Sequence, residues 1–236
     1  MLVAAFLYAA VGHGGASAYI AAMALAGVAP AEMRPMALML NVVVSSLATW
    51  KFWRAGHFRW GLFWPFAVLS VPMAYVGGAI VLPGTAYKVL VGLVLLYAAW
   101  QLWWSARTAE ELRPARLLSV PLAMVFGAAL GVLSGLTGVG GGIFLSPLLL
   151  LAGWAGTKQT SAVAAPLILV NSLAALAAGF VRNPTLPPDY APWLMAAVLV
   201  GGWAGAEYGS RRLANPVIRQ VLAVVLSIAG GKMVLV

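Results

Sequence analysis

Two glycine clusters carry the residue types and spacing best suited to chemistry in this chain. Gly12-His13-Gly14-Gly15-Ala16-Ser17 interrupts one apolar run, and Gly138-Val139-Gly140-Gly141-Gly142 interrupts another 126 residues later. In lipid an unwound backbone must face protein, water or a ligand, because no solvent satisfies its polar groups. Half-helices restarting near Ala16 and Gly142 would aim free N–H groups inward. A helix N-terminus carries about +0.5 charge and holds anions without a formal cation. A pair of such breaks in corresponding halves points to a carrier's binding site. The bland alternative is that the glycines only let helices cross closely. Four glycines within five positions, with three at the matching place of the other cluster, favour the site.

Several side chains accompany the breaks. His13 is ionisable within a greasy stretch, and histidine changes charge near neutral pH, so it could touch the anion or carry a coupled proton. It serves equally as a neutral packing residue. Asn41 and Asn171 lie inside apolar segments at matching places, with Ser45 one turn beyond Asn41. Their amides could donate to an oxyanion or bond across helices. Ser17 completes the candidate substrate set of Gly12, His13, Gly14, Gly15, Ser17, Asn41, Gly138, Gly140, Gly141, Gly142 and Asn171. Glu207 precedes Arg211 by four residues, the favoured order for a helical ion pair, and is otherwise a coupling carboxylate. Lys158, Gln159 and Thr160 are expected to cap the helix that follows them. Pro72 and Pro166 mark expected kinks.

The elements that position these residues follow from composition. Hydrophobic residues make up 63% and charged residues 8%, far from the soluble norm of about 45–50% and about 25%. No charge falls between Met1 and Glu32 or between Arg116 and Lys158, windows longer than the roughly 20 apolar residues of a spanning helix. The chain reads as an all-α polytopic membrane protein. The net charge of +9 belongs mainly to basic cytoplasmic loops, not to a nucleic-acid stripe. No cysteine is present, which excludes disulfides and thiolate metal sites, and no metal or other cofactor is called for. The amino terminus has no basic start of a signal peptide and is expected to be retained, with residue 1 close to or just inside the first segment.

Apolar segments fall at 1–27, 35–53, 60–82, 86–104, 117–153, 159–181, 190–209 and 216–235. The hydrophilic linker 105–116 separates a first repeat, 1–104, from a second, 117–236, each with four segments. Gly27 matches Gly153, and Ser70, Ala74 and Gly78 match Gly201, Gly205 and Gly209. Gly127, Gly131 and Gly135 form another small-residue stripe, echoed weakly by Ala5 and Ala9. Such stripes let helices approach closely in lipid. Trp50, Trp53, Trp60, Trp64, Trp100, Trp103, Trp104, Trp154 and Trp193 sit at segment ends as an interfacial belt.

If all eight segments cross, the basic residues divide eight against six. If 1–27 and 117–153 fold back at their glycines, ten share one face and only Arg34, Lys88, Arg182 and Lys232 lie opposite. The positive-inside rule prefers the second arrangement, with 51–59, 105–116 and 211–219 cytoplasmic in a bacterial inner membrane. Length agrees, since 37 helical residues would extend about 55 Å across a core of about 30 Å. Three crossings per half make the repeats inverted.

Gly138-x-Gly140-Gly141-Gly142-x4-Pro147-Leu148 resembles the glycine signature of the TauE/SafE sulfite exporter family, and the likeness extends over essentially the whole chain. The first cluster departs from it, with His13 in a variable slot, Ala16 for the third glycine and Ala21 in place of proline. The resemblance implies transport of small sulfur anions such as sulfite, thiosulfate or sulfonates, or of other organic anions. The chain is therefore expected to be a secondary carrier working by alternating access across the bilayer, with a proton or sodium as coupling ion. A passive anion channel or a carboxylate carrier remains the alternative. An enzyme is not expected: Gly15-Ala16-Ser17-Ala18 has a nucleophile's pattern, but His13 lies too close along the chain to serve as its base.

Overall fold

The computed structural model describes residues 1–10, 12–107, 117–182, 188–211 and 216–235, and all regular structure in them is helical. Ten helices follow in order: α1 (Leu2–Ala10), α2 (Ala16–Leu25), α3 (Pro30–Arg54), α4 (Trp60–Ala79), α5 (Gly84–Arg107), α6 (Val120–Thr137), α7 (Gly142–Leu151), α8 (Thr157–Arg182), α9 (Ala191–Arg211) and α10 (Pro216–Leu235). Five of them, α3, α4, α5, α6 and α8, are long and apolar enough to cross a bilayer. The linker beyond Arg107 and the basic residue Arg212 lie outside the described residues, as do the side chains of Arg107, Arg211 and Arg219.

The small-residue stripes do the packing, and each pairs elements distant in sequence. Gly127, Gly131 and Gly135 of α6 lie against Phe66, Ser70 and Ala74 of α4, so these two helices run side by side in one direction. Gly201, Gly205 and Gly209 of α9 lie in the same way against Leu2, Phe6 and Ala10 of α1. With no side chain between them, the backbones approach to a distance that any larger residue would forbid. The long helices α3 and α8 pack on each other between these two pairs, α3 against α9 and α8 against α4. Outside them, α5 and α10 cross at Gly92 and Gly230.

Cations fasten the helix ends. The Arg34 guanidinium donates to the carbonyls of Gly77, Gly78 and Ile80 (2.8 Å to Ile80), and Arg182 donates to Ala79 at 2.7 Å. Both therefore cap the C-terminus of α4, where the helix dipole is negative. Lys232 donates to the Ala24 and Leu25 carbonyls at 3.0 and 3.3 Å and does the same for α2. At the other end of the bundle Glu207 of α9 pairs with Lys51 of α3, whose ammonium also sits 4.9 Å from the ring centroids of Trp50 and Trp203. Lys51 lies 156 residues away in sequence, and the side chain of Arg211, the intrahelical partner expected from spacing, lies outside the described residues.

The aromatic belt needs one correction. Trp53, Trp60, Trp100, Trp104 and Trp193 are exposed as expected, but Trp154 is 9% exposed and packs on Phe66 in the core. α7 ends at Leu151, and the turn that follows carries Trp154 back against the bundle. Pro72 and Pro166 fall inside α4 and α8, and Lys158, Gln159 and Thr160 form the first turn of α8.

Candidate functional site

Both clusters break the helix, and both restart it where the sequence places the restart. α2 begins at Ala16 after Gly15, which has φ 90°, and α7 begins at Gly142 after Gly141, with φ 80°. Left-handed backbone of this kind costs a side-chain-bearing residue roughly 1–2 kcal/mol and glycine little. Hence each break falls on glycine, and the helix resumes right after the left-handed Gly15 and Gly141.

The two breaks come together on one pair of side chains. Gly14 and Gly140 both pack against Asn41, midway along α3, and Ile168, midway along α8. A Cβ added to Gly140 would lie 2.7 Å from both Asn41 Nδ2 and Ile168 Cγ2. Gly142 abuts Ile168 and the His13 ring, and Gly141 faces the Asn171 amide and Ser134. Gly12 and Gly138 stand further out, against Ser161 and Arg34. Nearly the whole candidate set thus forms one cluster of two opposed helix N-termini.

Hydrogen bonding gives the side chains distinct parts. Asn41 Oδ1 accepts the Ala16 N–H at 3.1 Å, so the amide caps α2 through its oxygen. Its Nδ2 is buried and has no acceptor, an unmet donor beside both glycine turns. An orphaned buried donor costs about 1–3 kcal/mol, which a ligand oxygen would recover. Asn171 differs, because its amide and the Ser70 hydroxyl bond each other at 2.8–3.1 Å. The N–H groups of Ser17, Ala18, Gly142 and Ile143 have no acceptor among the described residues. Ser45 bonds back to the Asn41 carbonyl at 2.5 Å and is spent within its own helix.

Other residues sequence reasoning passed over. Ser17 donates to the Tyr8 hydroxyl at 2.8 Å, and the buried Tyr19 hydroxyl lies against Gly15 without a partner. Ser134, likewise buried and unpartnered, occupies in α6 the place Tyr8 occupies in α1, 126 residues apart. The 126-residue spacing between the two glycine clusters was the available signal for both. Ser146 lies 3.0 Å from His13 Nε2, so the histidine that looks solitary in sequence has a partner across the breaks. Glu207, engaged with Lys51, stands outside the cluster. Among the described residues no group of three or more His, Asp or Glu could hold a metal.

The arrangement offers unmet backbone and amide N–H donors, with the His13 ring and Ser146 beside them. The profile of the family described as Sulfite exporter TauE/SafE matches residues 1–233. The probable membrane transporter protein y4hK of Sinorhizobium fredii is 41% identical over 237 residues, covering 98% of this chain and 94% of that protein. No solved structure matches. Paired, glycine-broken half-helices inside an apolar bundle and a match along almost the full length agree: the chain belongs to the TauE/SafE sulfite exporter family of membrane transporters.

Proposed function

We propose that the protein is a secondary carrier for a small sulfur-containing anion, such as sulfite, thiosulfate or a sulfonate, held between the N-termini of α2 and α7. The observation that carries this reading is the meeting of both breaks at Asn41, whose buried Nδ2 has no acceptor. The free N–H groups of Ser17, Ala18, Gly142 and Ile143 would complete the cradle. Substrate oxygens, not a lysine or arginine, would satisfy them.

The same reading takes the halves as inverted repeats that work by alternating access. Several contacts support it. α6 runs beside α4 from its start towards its C-terminal end, and α7 then leads from Ile168 back to Trp154 beside Phe66 near the start of α4. In the first half α2 leads from Asn41 to the carbonyls capped by Lys232, and α3 begins close by. On this reading each broken pair re-enters and leaves on one side, the two pairs from opposite sides. Ten of the chain's fourteen Lys and Arg residues then face the cytoplasm of a bacterial inner membrane.

Flux of sulfite, thiosulfate, methanesulfonate and acetate into proteoliposomes tests the proposal. The expected result is saturable uptake with counterflow for a sulfur anion. Asn41→Ala should weaken its binding by roughly tenfold to a hundredfold, the loss of one hydrogen bond to a charged group. A large unsaturable conductance would make the protein a channel, and transport of acetate alone would overturn the substrate class.

A further inference from the structure

His13 reaches from the first break to the second. Its Nε2 lies 3.0 Å from Ser146 Oγ, one turn into α7, and its Cδ2 edge faces Gly142 at the start of that helix. Ser146 also bonds the Gly142 carbonyl at 3.1 Å. A carbonyl can only accept, so while that bond holds the single hydroxyl proton, His13 Nε2 is the donor to Ser146. The Tyr8 ring stands edge-on to the imidazole, with centroids 6.4 Å apart. The ring therefore stands over the electropositive end of α7. A second proton there meets like charge, and an anion between the two half-helices converts that repulsion into attraction.

We propose that the cluster binds an anion and a proton jointly, with His13 as the proton carrier, so that the two bind cooperatively and cross together. This rests on the reading of the breaks as the anion site, which the unpartnered Asn41 Nδ2 supports independently of the histidine. Among the described residues, His13 is the group near the breaks suited to take up a proton. α6 and α7 carry no charged residue, and α1 and α2 contribute only the phenols of Tyr8 and Tyr19. On α3 the charges Glu32, Arg34, Lys51 and Arg54 lie towards the ends, and on α8 Lys158 and Arg182 do. The carboxylates Glu32 and Glu207 are engaged by Tyr190 and Lys51. Histidine exchanges its proton within the physiological range.

Unit charges about 6 Å apart at an effective dielectric of about 20 strengthen each other's binding by roughly a hundredfold. Linkage makes the factor equal in both directions. Anion affinity should therefore rise as pH falls, and a proton should be taken up on binding.

Calorimetric titration of the purified protein with thiosulfate and methanesulfonate, at pH 7.5 in two buffers of different ionisation enthalpy, counts those protons. The expected result is net uptake approaching one proton per anion in the wild type and in the loop variant His57→Gln, with none in His13→Gln. In proteoliposomes an inward anion gradient should acidify the lumen, read by a trapped dye, and His13→Gln should lose that signal. Binding without proton uptake in the wild type overturns the inference, as does uptake undiminished in His13→Gln. Should His13→Gln fail to fold, the same counts on His13→Asn decide the carrier's identity, and a wild-type count of zero overturns the inference without either variant. If neither anion binds, the anion-site reading fails first, and this inference with it.

Discussion

Replacing Gly77 by alanine tests whether the bundle depends on direct backbone contact. A Cβ at this position of α4 would lie 2.5 Å from the Val132 carbonyl oxygen, 3.1 Å from the Leu136 nitrogen and 3.2 Å from the Gly135 Cα of α6. All three are backbone atoms, so no side chain can rotate away. Restoring an ordinary contact of 3.4 Å requires α4 and α6 to part by 3.4 − 2.5 = 0.9 Å at this point. Overpacking of this kind costs about 1–3 kcal/mol. Alanine also raises helix propensity by about 0.8–1.0 kcal/mol over glycine, which would mask part of the loss. Gly179 of α8 and Gly231 of α10 have nothing within 4 Å, so alanine there carries the propensity gain alone. The difference between Gly77→Ala and these controls isolates the clash. At about 2–4 °C per kcal/mol, it should appear as a melting midpoint about 2–12 °C lower in mild detergent. Equal midpoints for Gly77→Ala and Gly179→Ala would refute the close approach of α4 and α6.

Two further outcomes follow from the ends of the bundle. Lys51→Glu and Glu207→Lys should each lower stability by up to about 1 kcal/mol, and the double swap should recover most of it, as measured by a double-mutant unfolding cycle. Additive losses would show that the pair is incidental. Cysteines introduced singly into the naturally cysteine-free chain test orientation: Val81→Cys, at a position 75% exposed, should react with an impermeant maleimide on intact cells. Ala55→Cys should react only after permeabilisation, and the reverse pattern would invert the topology.

The local features of the fold were legible and the distant ones were not. A glycine in left-handed backbone announces itself in sequence, so the restarts at Ala16 and Gly142 could be read before any coordinates. Stripes at four-residue spacing announce a face, but not what lies against it. That Gly127, Gly131 and Gly135 meet α4, and that α1 meets α9, depends on contacts between segments distant in the chain. The same limit hid Ser146 from His13, 133 residues away, and Lys51 from Glu207. Sequence identified Asn41 as a polar group in an apolar segment, but which end of its amide works is set by the approach of Ala16. Arg34, Arg182 and Lys232 counted only as charges on the less basic side. Their bonds to helix carbonyls, which tie each of them to a helix C-terminus, could not be read from charge alone.

The exchange of partners between α1 and α9 sets an order of assembly. Ala10 settles against Gly209, a residue that leaves the ribosome 199 positions later. At about 5–20 residues per second, α1 waits about 10–40 s before its permanent neighbour exists. During that interval it must shelter against lipid, the insertion machinery or a temporary mate. Biogenesis, more than the finished bundle, is where a weakened first segment would be felt.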